Sequence, residues 1–279
     1  MTKLPIVKKA TGESELFSKS KLEESLKRSG ATRSAINDVV EEIVGWIEDG
    51  TTTKKIYSKA FALLQKKRSS TAARYSLKKA LMELGPTGYP FEHFVGQIFE
   101  HQGFSVEVGQ VIQGQCVKHE VDVIASYNNK QYIVECKFYN SQGKFANVKV
   151  PLYIRSRVND IIAKRSGLPE FNKYSFHGWI VTNTRFTSDA MDFGRCSGLH
   201  LISWDYPKGH SLKDMIEKAK FFPITTLTQL TKKEKQVLME KGVVLCRQIN
   251  KEPSVLDLIN LSSSKRQSLL KEIEDLCSE

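Results

Sequence analysis

The stretch HEVDVIASYNNKQYIVECK, residues 119–137, decides the fold of the middle of the chain. It contains two short runs rich in apolar residues, Val121–Ala125 and Gln131–Cys136, which are typical of strands. Between them stands Asn128-Asn129, a pair that favours a tight turn because asparagine tolerates a left-handed backbone. The sequence therefore predicts a β-hairpin over these residues.

Three charged side chains belong to one end of this predicted hairpin. Pairing of the two strands would bring the carboxylates of Asp122 and Glu135 to the same end of a sheet. Glu135 and Lys137 are two residues apart, so on a strand they share a face. Two carboxylates can hold a hard divalent cation such as Mg²⁺, and the cation activates a bound water. A lysine beside it orients that water or offsets charge on the phosphorus, so the group indicates phosphodiester hydrolysis.

Helical and extended patterns alternate on both sides of the hairpin. Before it, the pattern predicts a helix over Phe91–Gln102 and a strand over Ser105–Val108. After it, the patterns predict helix Val150–Ala163, strand His177–Thr182, helix Ser188–Cys196 and strand Leu199–Ser203. Alternation of this kind predicts an α/β fold in which helices flank a mixed central sheet.

The two ends of the chain are predicted to be mainly helical. Residues 4–17 look like a strand, a turn and a strand, and apolar residues then recur at helical spacing as far as Leu64. Helices are also predicted over Thr231–Lys241, Ser254–Asn260 and Ser263–Leu276. Gly85-Pro86 interrupts the chain between these parts. We therefore predict three regions, with boundaries at 1–86, 87–220 and 221–279.

The charge is unevenly distributed along the chain. The net charge is +11, which suits a polyanionic partner such as DNA. Residues 86–136 carry two basic and six acidic side chains, a net charge of −4, whereas residues 137–220 carry fourteen and seven, a net charge of +7. The acidic segment is suited to a cation and the basic segments beside it to phosphates.

The cysteines and the apolar runs indicate the class of protein. The five cysteines are scattered without a C-x-x-C pair, a pattern that argues against a zinc site and fits reduced thiols in the cytoplasm. The lysine-rich start lacks a signal peptide's apolar core, and no apolar run approaches the roughly 18 residues of a membrane span. We expect a cytoplasmic protein that does not enter the membrane.

Several segments in the right order resemble a known family. FEHFVGQIFEHQGF at residues 91–104, HEVDVIA at 119–125, YIVECKF at 132–138 and GWIVTNTRFTSDAMDFGRCSGLHLISWD at 178–205 look like the restriction-endonuclease-like fold of PD-(D/E)XK nucleases. They are most similar to Mrr-type restriction endonucleases. The resemblance covers roughly residues 88–206 and implies a DNA endonuclease that requires Mg²⁺ or Mn²⁺.

The resemblance also implies roles for individual residues. Asp122 and Glu135 would be metal ligands and Lys137 the catalytic lysine. Glu92 matches an acid on the family's first helix and would join both the catalytic group and the metal ligands. From the residues alone, the backbone carbonyl of Cys136 is a further candidate metal ligand, since its side chain belongs to the other face. Glu92 is equally well read as a solvated helix residue.

A second resemblance involves the N-terminal region. PIVKKATGESELFSKSKL at residues 5–22 looks like an ATP-cone, the nucleotide-binding regulatory domain of ribonucleotide reductases. It implies ATP or dATP as regulatory ligand and a homo-oligomer formed through the cone or the nuclease domain. Lysines converging on one point suit a triphosphate. The residues matching the pattern and expected to bind nucleotide are Val7, Lys8, Lys9, Glu15, Lys21 and Thr53.

Other residues and other functions stay open at this stage. Phosphate contacts are expected from a set of basic and hydroxyl side chains, namely Lys144, Lys149, Arg155, Arg157, Thr182, Thr184 and Thr187. The alternatives to a nucleotide-regulated DNA endonuclease are a non-catalytic nucleotide-sensing DNA-binding regulator and a nuclease that acts on branched DNA or RNA.

Overall fold

The computed structural model describes residues 5–9, 12–67, 69–141 and 143–277, so Leu4, where the predicted opening strand begins, lies outside the described residues. The N-terminal region starts with an antiparallel hairpin, in which Val7 pairs with Glu15. The two predicted strands are therefore confirmed at Ile6–Lys8 and Ser14–Leu16, while residues 10–11 of the predicted turn lie outside the described residues. The elements are β1 (Ile6–Lys8), β2 (Ser14–Leu16), α1 (Lys19–Arg28), α2 (Arg33–Trp46), α3 (Thr53–Lys67), α4 (Ser69–Tyr75) and α5 (Leu77–Met82).

Helical periodicity explains the core of this region. Val40 and Ile43 on α2 pack with Ala60 and Leu64 on α3, and each is at most 1% exposed. The hydroxyl of Thr52 accepts a hydrogen bond from the Lys55 amide at 3.2 Å, so it caps α3 as the run of threonines predicts. The N-terminal region thus has a hydrophobic core of its own, made of residues from Val7 to Ala72.

The middle of the chain forms the predicted mixed sheet. Its strands lie in the order β3-β4-β5-β7-β9; the first three are antiparallel, and the last three are parallel. The elements are α6 (Tyr89–His101), β3 (Ser105–Gln113), β4 (Lys118–Tyr127), β5 (Lys130–Lys137), β6 (Phe145–Ala146), α7 (Lys149–Arg165), β7 (Ser175–Thr182), β8 (Arg185–Phe186), α8 (Ser188–Cys196), β9 (His200–Ile202) and α9 (Leu212–Ala219).

The predicted turn joins β4 and β5. Asn128 and Asn129 have φ angles of 47° and 58°, the left-handed backbone that a two-residue hairpin turn requires. β3 extends to Gln113, five residues beyond its predicted end, because it continues to pair with β4 up to Lys118. Side chains on this extension alternate only weakly in polarity, which is why the extension was not predicted.

Helices cover the two faces of the sheet differently. One face packs against α7 and α8 through a cluster that includes Ile154, Val158 and Ala190. The other face packs against α6, α9 and the C-terminal helices. These are α10 (Lys232–Glu240), α11 (Cys246–Lys251) and α12 (Ser263–Cys277).

The C-terminal region differs from its prediction around residues 246–260. The predicted helix Ser254–Asn260 is wrong, because Pro253–Leu258 forms a 3₁₀-helix and Ile259 is already extended, with φ −126° and ψ 142°. The short helix α11 was not predicted. Side chains of this region are buried in the same cluster as α6 and the sheet, among them Leu238, Leu269 and Ile273. Leu81 and Leu84 also belong to that cluster.

The junction between α5 and α6 is tightly packed. A Cβ on Gly85 would lie 2.6 Å from Oδ1 of Asn140 and 2.7 Å from Cε1 of Phe138. The ring of Phe138 also lies 5.4 Å from that of Phe91 on α6. The predicted boundaries at 86 and 220 stay predictions, while apolar packing runs across both. Within the described residues, the helices do not reach the length and apolar content of a membrane span.

Candidate active site

Asp122 lies where the sheet pairing is interrupted. Towards β3, Val123 pairs with Val108 and Val121 pairs with Gln110, but Asp122 between them has no partner in the register. On the other side, the pairing of β4 with β5 ends at Val123 and Val134. Continued by one residue, this register would set Asp122 opposite Glu135 on the same face, as the hairpin predicts. Instead, the Asp122 carboxylate accepts a hydrogen bond of 2.6 Å from the Cys136 amide.

Glu135 meets an arginine from the flanking helix. Nη1 of Arg157, on α7, donates to Oε2 of Glu135 at 2.8 Å, and Nη2 donates to the backbone carbonyl of Glu120. Both side chains of the ion pair are largely buried, at 15% and 17% exposed. Arg157 was predicted to face either phosphate or solvent; in the structure it faces the carboxylate. The guanidinium therefore supplies positive charge directly at the centre.

Lys137 and Cys136 end β5 on opposite faces. The Lys137 side chain is exposed, while the Cys136 side chain is 7% exposed and lies in the core. The backbone at Lys137 is fixed, because Oγ1 of Thr182 on β7 donates to its carbonyl at 2.7 Å. The ammonium group is near enough to Asp122 and Glu135 for its charge to oppose the rise in their pKa values.

Glu92 approaches the same group from α6. Burial, followed by the negative charges of Asp122 and Glu120, raises the pKa of Glu92 to about 7. Burial and the charge of Asp122 likewise raise the pKa of Glu135 to about 7. Burial raises the pKa of Asp122 as well. Three carboxylates thus lie close enough to repel one another in a partly dehydrated place.

These three carboxylates fit a hard divalent cation by their chemistry. Oxygen donors are what Mg²⁺ prefers, and a cation between them would relieve both their repulsion and their desolvation. Among the described residues, the His, Cys, Asp and Glu side chains form no group of three or more that is arranged to hold a metal ion. Asp122 and Glu135 are held by Cys136 and Arg157 instead. Metal binding would therefore require these oxygens to turn inward.

Replacing Glu92 with glutamine tests the electrostatics of the site without a metal. The folded pKa of about 7 exceeds the unfolded value of about 4.3, so the ionised carboxylate destabilises the fold above pH 7 and the effect fades as pH falls towards 4. In buffer that contains a chelator, Glu92→Gln should raise the melting temperature at pH 8. The rise should be roughly 2–4 °C for each 1 kcal/mol added to the free energy of unfolding. The gain should be smaller at pH 5.

The matched control for that measurement is Glu100→Gln, an exposed glutamate on the same helix. It should leave the melting temperature unchanged at both pH values. Equal effects of the Glu92 and Glu100 variants at pH 8 would contradict the assignment of Glu92 to the charged centre.

The predicted phosphate-binding residues fall into two groups. Lys144 and Lys149 are exposed and Arg155 is partly exposed, so all three are available to a polyanion. Thr182 and Thr184 are not, since they are 0% and 6% exposed and hydrogen-bond to each other or to Lys137. The Thr187 hydroxyl accepts from the Ala190 amide and caps α8. The three threonines therefore serve the structure.

Two residues that support the site were missed from the sequence. Asn183 is fully buried, and its side chain bonds both the amide and the carbonyl of Tyr139, each at 2.9 Å. It fixes the backbone two residues beyond Lys137. Asp160 on α7 accepts from His119 Nε2 at 2.7 Å and from the Cys116 amide at 2.9 Å, which ties the β3–β4 turn to the helix carrying Arg157. An asparagine directly after an apolar strand was the available signal for Asn183.

The N-terminal candidates are brought together in part. Glu15 lies 3.1 Å from Lys9 Nζ and 3.2 Å from Lys21 Nζ. Lys8 is exposed, and its amide donates to Thr51, close to Thr53 at the start of α3. Val7 is 3% exposed and belongs to the core, so its side chain is not available to a ligand.

Comparison with known proteins agrees with this architecture. Residues 85–207 match the family model described as restriction endonuclease, Mrr_cat, and residues 222–277 match the model described as AF1548-like, C-terminal. An uncharacterized protein of Archaeoglobus fulgidus is 29% identical over 180 residues, which make up 64% of this chain and 97% of that protein. The crystal structure of the protein of unknown function AF1548 aligns with a TM-score of 0.57 and 28% identity, over 69% of this chain and 100% of that chain.

Two further solved structures align with lower scores. Can2 from Sulfobacillus thermosulfidooxidans, in complex with cyclic tetra-adenylate, has a TM-score of 0.32 and 13% identity over 68% of this chain and 60% of that chain. The MspJI restriction endonuclease, in complex with a 27-mer oligonucleotide, has a TM-score of 0.31 and 11% identity over 72% and 39%. Neither family match includes residues 1–84, so the family matches give no support to the predicted ATP-cone. The chain thus carries a restriction-endonuclease-like domain at residues 85–207, followed by an AF1548-like C-terminal domain.

Proposed function

We propose that this protein is a divalent-metal-dependent DNA endonuclease with Asp122, Glu135, Lys137 and Glu92 at its catalytic centre. One observation carries the proposal: Asp122 and Glu135 lie where the regular pairing of β4 and β5 ends, and Glu92 on α6 is near enough for its charge to raise the pKa of Glu135. A carboxylate cluster with mutually raised pKa values is costly to the fold. Its presence beside an exposed lysine is explained by a function in binding a cation.

Each residue has a part in this proposal. Asp122, Glu135 and Glu92 would hold Mg²⁺ or Mn²⁺, and the Cys136 carbonyl is available from the same strand end. When bound, the cation polarises the scissile phosphate and lowers the pKa of a water. Lys137 orients that water and offsets negative charge at the phosphorus. Arg157 favours the ionised form of Glu135 and holds its carboxylate in place, and the guanidinium would become available to a phosphate oxygen if Glu135 bound a cation.

The test is cleavage of DNA by the purified full chain. We expect DNA to be cut when Mg²⁺ or Mn²⁺ is present and to remain intact when a chelator is added. DNA binding without cleavage under either metal would instead favour the non-catalytic regulator. Cleavage that persists in the chelator would show that the carboxylates do not act through a metal.

We further propose that ATP or dATP binds the N-terminal region and regulates the enzyme by changing its oligomeric state. Lys9 and Lys21 converge on one carboxylate, Glu15, at an exposed hairpin, and a triphosphate could bind both ammonium groups there. Regulation requires that the nucleotide bind two states with different affinities. A cytoplasmic location, where these nucleotides are abundant, belongs to the same proposal.

Titration calorimetry with ATP and dATP tests the nucleotide site. Lys21→Ala should weaken binding by about tenfold, because it removes one of two charge-assisted contacts. Lys19→Ala, which alters an exposed lysine two residues away, is the matched control and should bind as the parent does. Size-exclusion chromatography with and without nucleotide measures the oligomeric state. Absence of heat with either nucleotide would remove the regulatory proposal and leave the nuclease untouched.

A further inference from the structure

Large apolar side chains are exposed on the two helices that contribute to the candidate active site and on β6, which precedes one of them. Among the described residues, the large apolar side chains that face solvent include Tyr89 at the start of α6 and Phe145, Leu152 and Tyr153 at β6 and the start of α7. These two helices carry Glu92 and Arg157. An exposed apolar patch next to polar and charged groups marks a place of interaction.

Tyr153 contacts Arg157, which in turn binds Glu135 of the candidate site. The guanidinium carbon of Arg157 lies over the Tyr153 ring, 5.5 Å from its centroid, and the same guanidinium donates to Glu135. The two residues are four apart on α7, so they occupy one side of the helix. Tyr153 is nonetheless 63% exposed. The exposed ring of Tyr153 is therefore separated from the Glu135 carboxylate by only the Arg157 side chain.

Tyr89 occupies the corresponding place on the other helix. It precedes Glu92 by three residues, is 47% exposed, and its ring centroid lies 4.3 Å from that of His93. On α6 as on α7, which cover opposite faces of the sheet, an exposed aromatic ring therefore lies one helical turn before a residue of the site.

The charge of the chain segment that contains Phe145, Leu152 and Tyr153 indicates the kind of partner that these side chains fit. Residues 136–159 contain no aspartate or glutamate and carry Lys137, Lys144, Lys149, Arg155 and Arg157. A partner that fits must be polyanionic and must also offer flat apolar faces. Nucleic acid with unpaired bases has both properties, whereas an intact duplex hides its base faces within the stack.

We propose that the substrate strand is single-stranded at the cleaved phosphate, and that Tyr153 and Tyr89 stack on bases to either side of it. This inference rests on the proposed nuclease function and adds the substrate class. Lys144 and Lys149 then contact the backbone of the same strand. The Arg157 guanidinium contacts both the Tyr153 ring and the Glu135 carboxylate, so it holds the stacking residue and the site residue in fixed relative positions.

The test is fluorescence of a short DNA strand containing 2-aminopurine, titrated with the full chain in a chelator so that no cleavage occurs. We expect quenching and tighter binding to the single strand than to the duplex of the same sequence. Tyr153→Ala should weaken single-strand binding by about tenfold and reduce quenching, and Tyr153→Phe should preserve both. Tyr127→Ala is the matched control, since Tyr127 is 50% exposed at the far end of β4 and should have no effect.

Several results would overturn the inference. Equal affinity for duplex and single strand, or unchanged quenching by Tyr153→Ala, contradicts it. So does light scattering showing that Tyr153→Ala converts a dimer to a monomer without altering DNA binding, since the patch would then join two copies of the chain. If the parent quenches and binds single strands but never cleaves, the nuclease proposal fails alone. If it cleaves duplex and Tyr153→Ala cleaves equally well, the stacking inference fails alone.

Discussion

Lys137→Ala should lower the rate of metal-dependent DNA cleavage by about 10²–10³-fold, the usual effect of removing one group that stabilises charge in a transition state. The reason is its position: the side chain is exposed at the end of β5, on the face that carries Glu135. Because its backbone is held by Thr182, alanine should leave the strand in place. The melting temperature should therefore stay within about 1–2 °C of the parent, since exposed substitutions rarely change stability much.

The same strand provides the control for this experiment. Lys130 is the first residue of β5 and is also exposed, seven positions from Lys137 at the opposite end of the strand. Lys130→Ala removes the same charge from the same element, so it should cleave at the parental rate. Equal losses in the two variants would mean that net charge, rather than position, supports activity. Full activity of Lys137→Ala would remove this lysine from the centre.

A chain that ends at residue 220 should fail to fold. The C-terminal helices bury Leu238, Leu269, Ile273 and Leu276, each 0% exposed, in the cluster that also contains α6 and one face of the sheet. Full burial of each such side chain is worth about 1.5–3 kcal/mol, so the four together are worth about 6–12 kcal/mol, as much as the 5–15 kcal/mol by which domains are typically stable. We expect an insoluble product or one without a cooperative thermal transition by circular dichroism.

Deleting the other end provides the comparison. A chain that starts at Ser69 keeps α4 and α5, which pack against the C-terminal half, and loses most of the separate N-terminal core. It should retain a cooperative transition. If the chain ending at 220 melted as the full chain does, the C-terminal helices would be an independent appendage, as their sequence suggests.

The hairpin was predictable because its determinants are local. Asn128 and Asn129 set the turn, and the turn sets the register as far as Val123 and Val134, which brings Asp122 and Glu135 to the same end of the hairpin. Glu92 required the family resemblance, since a glutamate on a helix carries no mark of its own. That resemblance could name it as a partner of Asp122 but could not give its burial.

Contacts between distant parts of the chain were not predictable from one sequence. Arg157 reaches Glu135 across 22 positions because α7 crosses the sheet at that point, and only the assembled fold defines the crossing. The apolar periodicity of α12 showed which face would be buried, but not that α6 would share its core. The 3₁₀-helix at Pro253–Leu258 was misread because its apolar spacing fits either helical form over so few residues.

The close packing at Gly85 links the position of the N-terminal region to that of the candidate active site, although the two are not in direct contact through their functional side chains. The junction leads directly into α6, and therefore to Glu92, and it packs closely against Phe138, the neighbour of Lys137. A tilt of the preceding helices would accordingly shift Glu92 and the end of β5 together. An effector that prefers one tilt by 1.4 kcal/mol would change the ratio of the two arrangements tenfold.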